Sequence, residues 1–124
     1  MTGIRRRILL VEDSPIIQAA ATHSLGEAGY EVATRSTFEE LITHGVDGFD
    51  LILMDVQMPE LFGDDVASVL RNERDVRTPI YLFSSLDPGE LAERAKAARV
   101  DGYISKQQGM DHLVARVREI VGAA

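Results

Sequence analysis

Residues 51–60 read "LILMDVQMPE": four apolar residues, Leu51, Ile52, Leu53 and Met54, run straight into Asp55. A continuous apolar run of this length reads as a strand buried on both faces. Ending such a strand on a carboxylate is costly unless a partner meets it, because a charge withdrawn from water needs a counter-charge or hydrogen bonds. What else reaches that strand end therefore decides what the chain can do.

Working outward, short apolar runs alternate with amphipathic stretches. "ILLV" (8–11) is a second fully apolar strand. It is followed by a helix from Pro15 to Ala28, which Ser14 caps, Pro15 opens and Gly29 stops. "YEVATR" (30–35) alternates like a strand with one wetter face. "STFEELITHG" (36–45) carries two overlapping capping boxes, Ser36 with Glu39 and Thr37 with Glu40. Beyond residue 60, Gly63 opens a helix in which Val66, Val69 and Leu70 recur at helical spacing. "PIYLF" (79–83) is a strand, "DPGELAERAKAARV" (87–100) an Ala-rich helix, and "GYIS" (102–105) the last strand. The final helix, Met110 to Val121, places Met110, Leu113, Val114, Val117, Ile120 and Val121 on one stripe. Five apolar strands separated by five helices predict an α/β fold, a doubly wound parallel sheet covered on both faces by right-handed crossovers.

The bulk numbers agree. A length of 124 residues suits one domain with a single sheet. Apolar residues at 45% and charged residues at 27% are ordinary for a globular chain. The absence of Cys excludes disulfides, thiolate catalysis and Cys-based zinc sites. His23, His44 and His112 lack metal-ligand spacing and read as surface or packing residues. No apolar run approaches the roughly 20 residues of a bilayer span, and "MTGIRRRILLVED" ends its short apolar run in two acids, unlike a signal peptide. The expectation is a cytoplasmic protein with no membrane partner. A net charge of −7 argues against nucleic acid as a partner, and Arg5, Arg6 and Arg7 read as a solvated strand entry.

In open parallel sheets, ligands gather at the carboxyl ends of the strands. Those ends carry Glu12 and Asp13, Asp55, Ser84 and Ser85, and Lys106. Three converging carboxylates repel one another unless a cation joins them. Hard oxygen donors with open positions suit Mg²⁺, for which Mn²⁺ is an acceptable substitute. Lys106 adds a point charge with three donors and Ser84 adds a hydroxyl, both suited to phosphoryl oxygens. The set is an apparatus for phosphoryl transfer onto a carboxylate.

At this point the chain resembles a bacterial two-component response-regulator receiver domain, of the stand-alone kind used as chemotaxis regulators. The resemblance rests on "ILLVEDSP", "DLILMDVQMPELFG", "PIYLFSS" and "DGYISK" in order and spacing, and covers about residues 6 to 122. It implies a flavodoxin-like (βα)5 sheet of order 2-1-3-4-5, and a single receiver domain over residues 1–124 without an output domain. It further implies Asp55 as phosphoacceptor, loaded by a sensor histidine kinase or a phosphotransfer protein. Asp13, Asp55 and the backbone carbonyl of Gln57 match the direct Mg²⁺ ligands, with Glu12 acting through water. Ser84 and Lys106 match the phosphoryl-binding pair, Ser84 and Tyr103 the switch pair, and Gln57 and Leu86 the positions that tune dephosphorylation. The output surface would be the face of the fourth helix, fifth strand and fifth helix, engaging an unknown downstream protein, with room for a phosphorylation-dependent homodimer.

There are departures. The family usually carries a cis-peptide Pro after the lysine, whereas this chain reads "SKQQG". A cis bond before Gln107 would cost about 2.5–4 kcal/mol, so a trans bond and a reshaped loop are expected. Glu12 stands where Asp is commoner. Glu60, Asp64 and Asp65 are accounted for by a solvated loop and a first helical turn, Tyr81 by packing, and Met54 and Met58 by core and rim filling. Two other functions compete with the signalling switch, which is not a conventional enzyme. One is a phosphorylation-independent adaptor on the same fold. The other is a hydrolase of the haloacid dehalogenase type, which needs a second Asp where this chain has Gln57.

Overall fold

A computed structural model of the protein describes residues 5–124. Five strands form one parallel sheet: β1 (Arg7–Val11), β2 (Glu31–Arg35), β3 (Leu51–Met54), β4 (Ile80–Ser84) and β5 (Gly102–Ser105). Five helices follow them in turn: α1 (Pro15–Glu27), α2 (Phe38–His44), α3 (Gly63–Asn72), α4 (Pro88–Ala98) and α5 (Met110–Val121). The strand order is β2-β1-β3-β4-β5, so the chain runs from the middle to one edge, returns and then crosses to the other. This is the flavodoxin-like arrangement, with the two continuous apolar strands, β1 and β3, side by side at its centre.

Alternation along each strand splits the core into two layers. Leu9, Val11, Ile52, Met54, Ile80 and Leu82 face α2, α3 and α4, meeting Phe38, Leu41, Ala67, Leu91 and Ala95. Ile8, Leu10, Leu51, Leu53, Phe83 and Ile104 face α1 and α5, meeting Ala21, Leu25, Leu113 and Val117. Because both faces are covered, the central strands need apolar residues at every position, and that is why they read as unbroken runs.

Several details depart from the sequence reading. Ser84 belongs to β4 and pairs with Ser105 rather than following the strand. Of the two capping boxes, Thr37 caps α2 through Oγ1, which accepts from the Glu40 N–H at 3.1 Å. The Ser36 hydroxyl instead accepts from Gln18 Nε2 at 2.8 Å, and the Ser36 N–H donates to the Glu40 carboxylate. Val69 stays exposed while Val66 and Leu70 pack on the core. No cis peptide occurs among the described residues, and Lys106–Gln108 forms a 3-10 turn ahead of α5.

Arg71 ties the far end of the sheet together. Its guanidinium donates to the carbonyls of Val76, Thr78 and Arg99, and contacts Asp101 Oδ2 at 2.6 Å. That carboxylate oxygen in turn accepts from the Ile80 N–H at 2.9 Å, so one side chain joins α3, the entry to β4, the end of α4 and the entry to β5.

Candidate phosphoryl-transfer site

The site lies at the carboxyl edge, where backbone bonds carry the ladder one residue past β1 and β3. The Glu12 N–H donates to Arg35 O and the Asp55 N–H to Val11 O, each at 2.9 Å. Those bonds set Glu12 and Asp55 beside one another while the side chains are still below the rim. Glu12 is 1% exposed and Asp55 3%, so both carboxylates are withdrawn from water. Asp13 is half-buried, and one oxygen from each of the three acids lies within 4.8 Å of the others.

The loop after β3 is drawn tightly around Asp55. Asp55 Oδ1 accepts the Gln57 N–H at 3.1 Å, and the Gly63 N–H donates to Val56 O at 2.9 Å. Gly63 packs so closely that a Cβ there would stand 1.7 Å from the Asp55 carbonyl oxygen. Only glycine fits that position. Sequence reading assigned Gly63 to opening a helix and missed this contact. A glycine at the first helical position, after a Phe62 that offers no capping side chain, was the available signal.

Lys106, in the turn that follows the edge strand β5, reaches inward to place Nζ 2.6 Å from Glu12 Oε1 and 3.5 Å from Asp55 Oδ1. The first approach sets the ammonium at charge-assisted hydrogen-bond distance from a buried carboxylate oxygen. Glu12 Oε2 accepts the Ser14 N–H at 3.1 Å. Burial, with the neighbouring Asp55 charge adding to it, pushes the Glu12 carboxyl up to about 7 despite the opposing Lys106. One ammonium does not neutralise three acids. Two buried carboxylates beside a third, with a single ammonium among them, fit a hard divalent cation.

Ser84 is fully buried, and its Oγ accepts the Leu86 N–H at 3.2 Å. Leu86 is half-buried against the core beside it, and Gln57 is exposed. Tyr103 is half-buried in β5 and lines an open hollow of about 430 Å³ with Tyr81, Pro88, His112 and Arg116, between α4 and α5. The structure thus brings Glu12, Asp13, Asp55, Gln57, Ser84, Leu86 and Lys106 to one rim, with Tyr103 set apart on the neighbouring face. Two acids read as solvated are engaged. Glu60 accepts the Phe38 N–H at 3.2 Å, and Asp64 takes both its oxygens to Arg94 Nη1 at 3.1 Å. Asp65 is exposed as expected.

Residues 8–118 match the model of the response regulator receiver domain. The chain belongs to the response-regulator receiver family. Among curated relatives of this receiver, the probable transcriptional regulator ycf27 of Porphyra purpurea is 35% identical, covering 100% of this chain and 51% of its own length. The cell cycle transcriptional regulator CtrA of Caulobacter vibrioides is 30% identical, covering 93% and 50%. The receiver therefore spans about half the length of the curated relatives it matches. Among solved structures, chemotaxis protein CheY4 of Vibrio cholerae superposes with a TM-score of 0.82 at 28% identity, over 94% of this chain and 99% of that one. Response regulator TrrA of Thermotoga maritima, solved with Mg²⁺ and beryllofluoride, gives 0.77 at 29% over 93% and 98%. Response regulators are signalling proteins of two-component systems, and this receiver shares their sequence pattern, strand order and acidic cluster. No described helix is long and apolar enough to cross a membrane.

Proposed function

We propose that this receiver is a switch thrown by phosphorylation of Asp55, with the phosphoryl group coming from a histidine on a sensor kinase or phosphotransfer protein. The observation that carries the reading is the buried Asp55 carboxylate, held 3.5 Å from Lys106 within a cluster of two further acids. Asp13, Asp55 and the Gln57 carbonyl would hold Mg²⁺, with Glu12 behind them. The ion's chemistry there is charge neutralisation of the acids and of the incoming phosphoryl oxygens.

The chain's own groups do the rest. Tight packing of Asp55 on Gly63 fixes the acceptor backbone, so its carboxylate meets phosphorus from a preset direction. The Lys106 ammonium donates to a phosphoryl oxygen, and the Ser84 hydroxyl turns from its own loop to donate to another. The product carries roughly 1.5–2 negative charges, by analogy with other phosphorylated side chains. Movement of Ser84 frees space for Tyr103 and biases the α4-β5-α5 face, which then engages a downstream protein or a second copy of the chain. Gln57 and Leu86 flank the phosphoryl group and set its lifetime, Gln57 by orienting water and Leu86 by shielding.

Intact mass after incubation with acetyl phosphate and Mg²⁺ tests this. Wild type gains one phosphoryl group, and Asp55→Ala or omission of the metal abolishes the gain. A wild-type chain that gains none under acid quench refutes the switch and leaves the adaptor.

A further inference from the structure

Gln107 follows Lys106 and makes two hydrogen bonds, one from its backbone and one from its side chain. Its N–H donates to the buried Ser105 Oγ at 3.2 Å, and its Nε2 donates to the Ser85 carbonyl at 2.8 Å. Ser105 pairs in register with Ser84, so the two loops joined by the amide leave adjacent strands at the site's rim. Ser85 sits between Ser84 and Leu86, the two ends of the turn closed by the Ser84 hydroxyl. Lys106 has a long stem with several rotatable bonds, so where its ammonium settles depends on how firmly its backbone is held.

We propose that Gln107 is a positioning residue for phosphoryl transfer: it fastens the turn carrying Lys106 to the segment carrying Ser84, so that both groups face Asp55 as one unit. This rests on the phosphoryl-switch reading above. In the transfer from acetyl phosphate, an Asp55 carboxylate oxygen bonds to phosphorus as the bond from phosphorus to the acetyl oxygen breaks. The bonding pair leaves with acetate, and no proton changes hands. Lys106 and Ser84 act only by donating hydrogen bonds to the phosphoryl oxygens, so their contribution depends on placement.

The test compares Gln107→Ala and Gln107→Glu with wild type, measuring phosphorylation rate from acetyl phosphate at saturating Mg²⁺. Glutamate keeps the length of the side chain, but its carboxylate cannot donate to the Ser85 carbonyl. Both variants should slow phosphoryl uptake by about three- to tenfold, the span expected for one net hydrogen bond, with the thermal midpoint lowered by no more than about 5 °C. In a Lys106→Ala background the same substitutions should change the rate by less than about twofold, since with the ammonium gone there is nothing left for the tether to register against Ser84. In metal-free protein, amide hydrogen exchange at Leu86 and Lys106 should quicken in both variants. A wild-type rate in either variant, unaltered exchange, or equal slowing without Lys106 overturns the assignment while wild-type phosphorylation stands. Wild type that takes up no phosphoryl group removes the switch and this inference together.

Discussion

Glu12 makes the unliganded site sensitive to pH in a direction opposite to most salt-bridged acids. In the unfolded chain this carboxyl releases its proton near its ordinary value of 4.5, whereas in the fold it holds the proton up to about 7. Between those values the folded state binds more protons than the unfolded one, so stability falls as pH rises. A rise of that size corresponds to about 3 kcal/mol, and to about 1–2 kcal/mol once relaxation of the surroundings around the buried charge is allowed for. The assay is urea unfolding of metal-free protein followed by circular dichroism at pH 5, 6, 7 and 8, for wild type and Glu12→Gln. Wild type should lose about 1–2 kcal/mol relative to the variant across that span, with most of the loss complete by pH 8. Saturating Mg²⁺ should flatten the difference, because a cation compensates the charge that burial penalises. Parallel curves for the two proteins, or a wild type that gains on the variant as pH rises, would refute the claim that burial dominates over the Lys106 contact.

Two further outcomes follow from packing. Gly63→Ala should destabilise the protein by about 2–4 kcal/mol in the same unfolding assay and depress Asp55 phosphorylation, since the added Cβ at 1.7 Å must displace the acceptor backbone; a variant with wild-type stability would show that the contact is relaxed in solution. Arg71→Ala should cost about 2–4 kcal/mol through three orphaned carbonyls and the unpaired Asp101, while leaving the half-saturation for Mg²⁺ unchanged, because the guanidinium lies at the opposite end of the sheet.

The strands and the rim residues were legible because both are periodic or positional signals. Burial on two faces forces β1 and β3 into unbroken apolar runs, and a charge that ends such a run cannot be filler. Asp55 and Glu12 stood out for that reason, and Lys106 because it follows the last strand at the same edge. Gly63, Glu60 and Arg71 did not, because their importance depends on distances that strand and helix periods do not encode. Gly63 matters through an approach to a residue in the preceding loop, and Glu60 through an N–H 22 positions away. Arg71 looks like any polar residue on a helix until its donors are traced to three carbonyls in two separate segments. The capping boxes show the same limit at short range. Two overlapping patterns predicted one helix start, and only the Thr37 hydroxyl was used, because Gln18 had claimed that of Ser36.

The strand order also bears on assembly. All three acids belong to β1, β3 and the turns that follow them, whereas the lysine that faces them arrives with β5, beyond β4. A folding intermediate that had zipped β2, β1 and β3 together would already hold its carboxylates in mutual repulsion, with no ammonium to relieve it. The half-built sheet is thereby penalised at neutral pH, and docking of the last strand relieves part of that repulsion. Charge placement at the rim thus disfavours partly assembled species, and makes the two halves of the sheet depend on one another for completion.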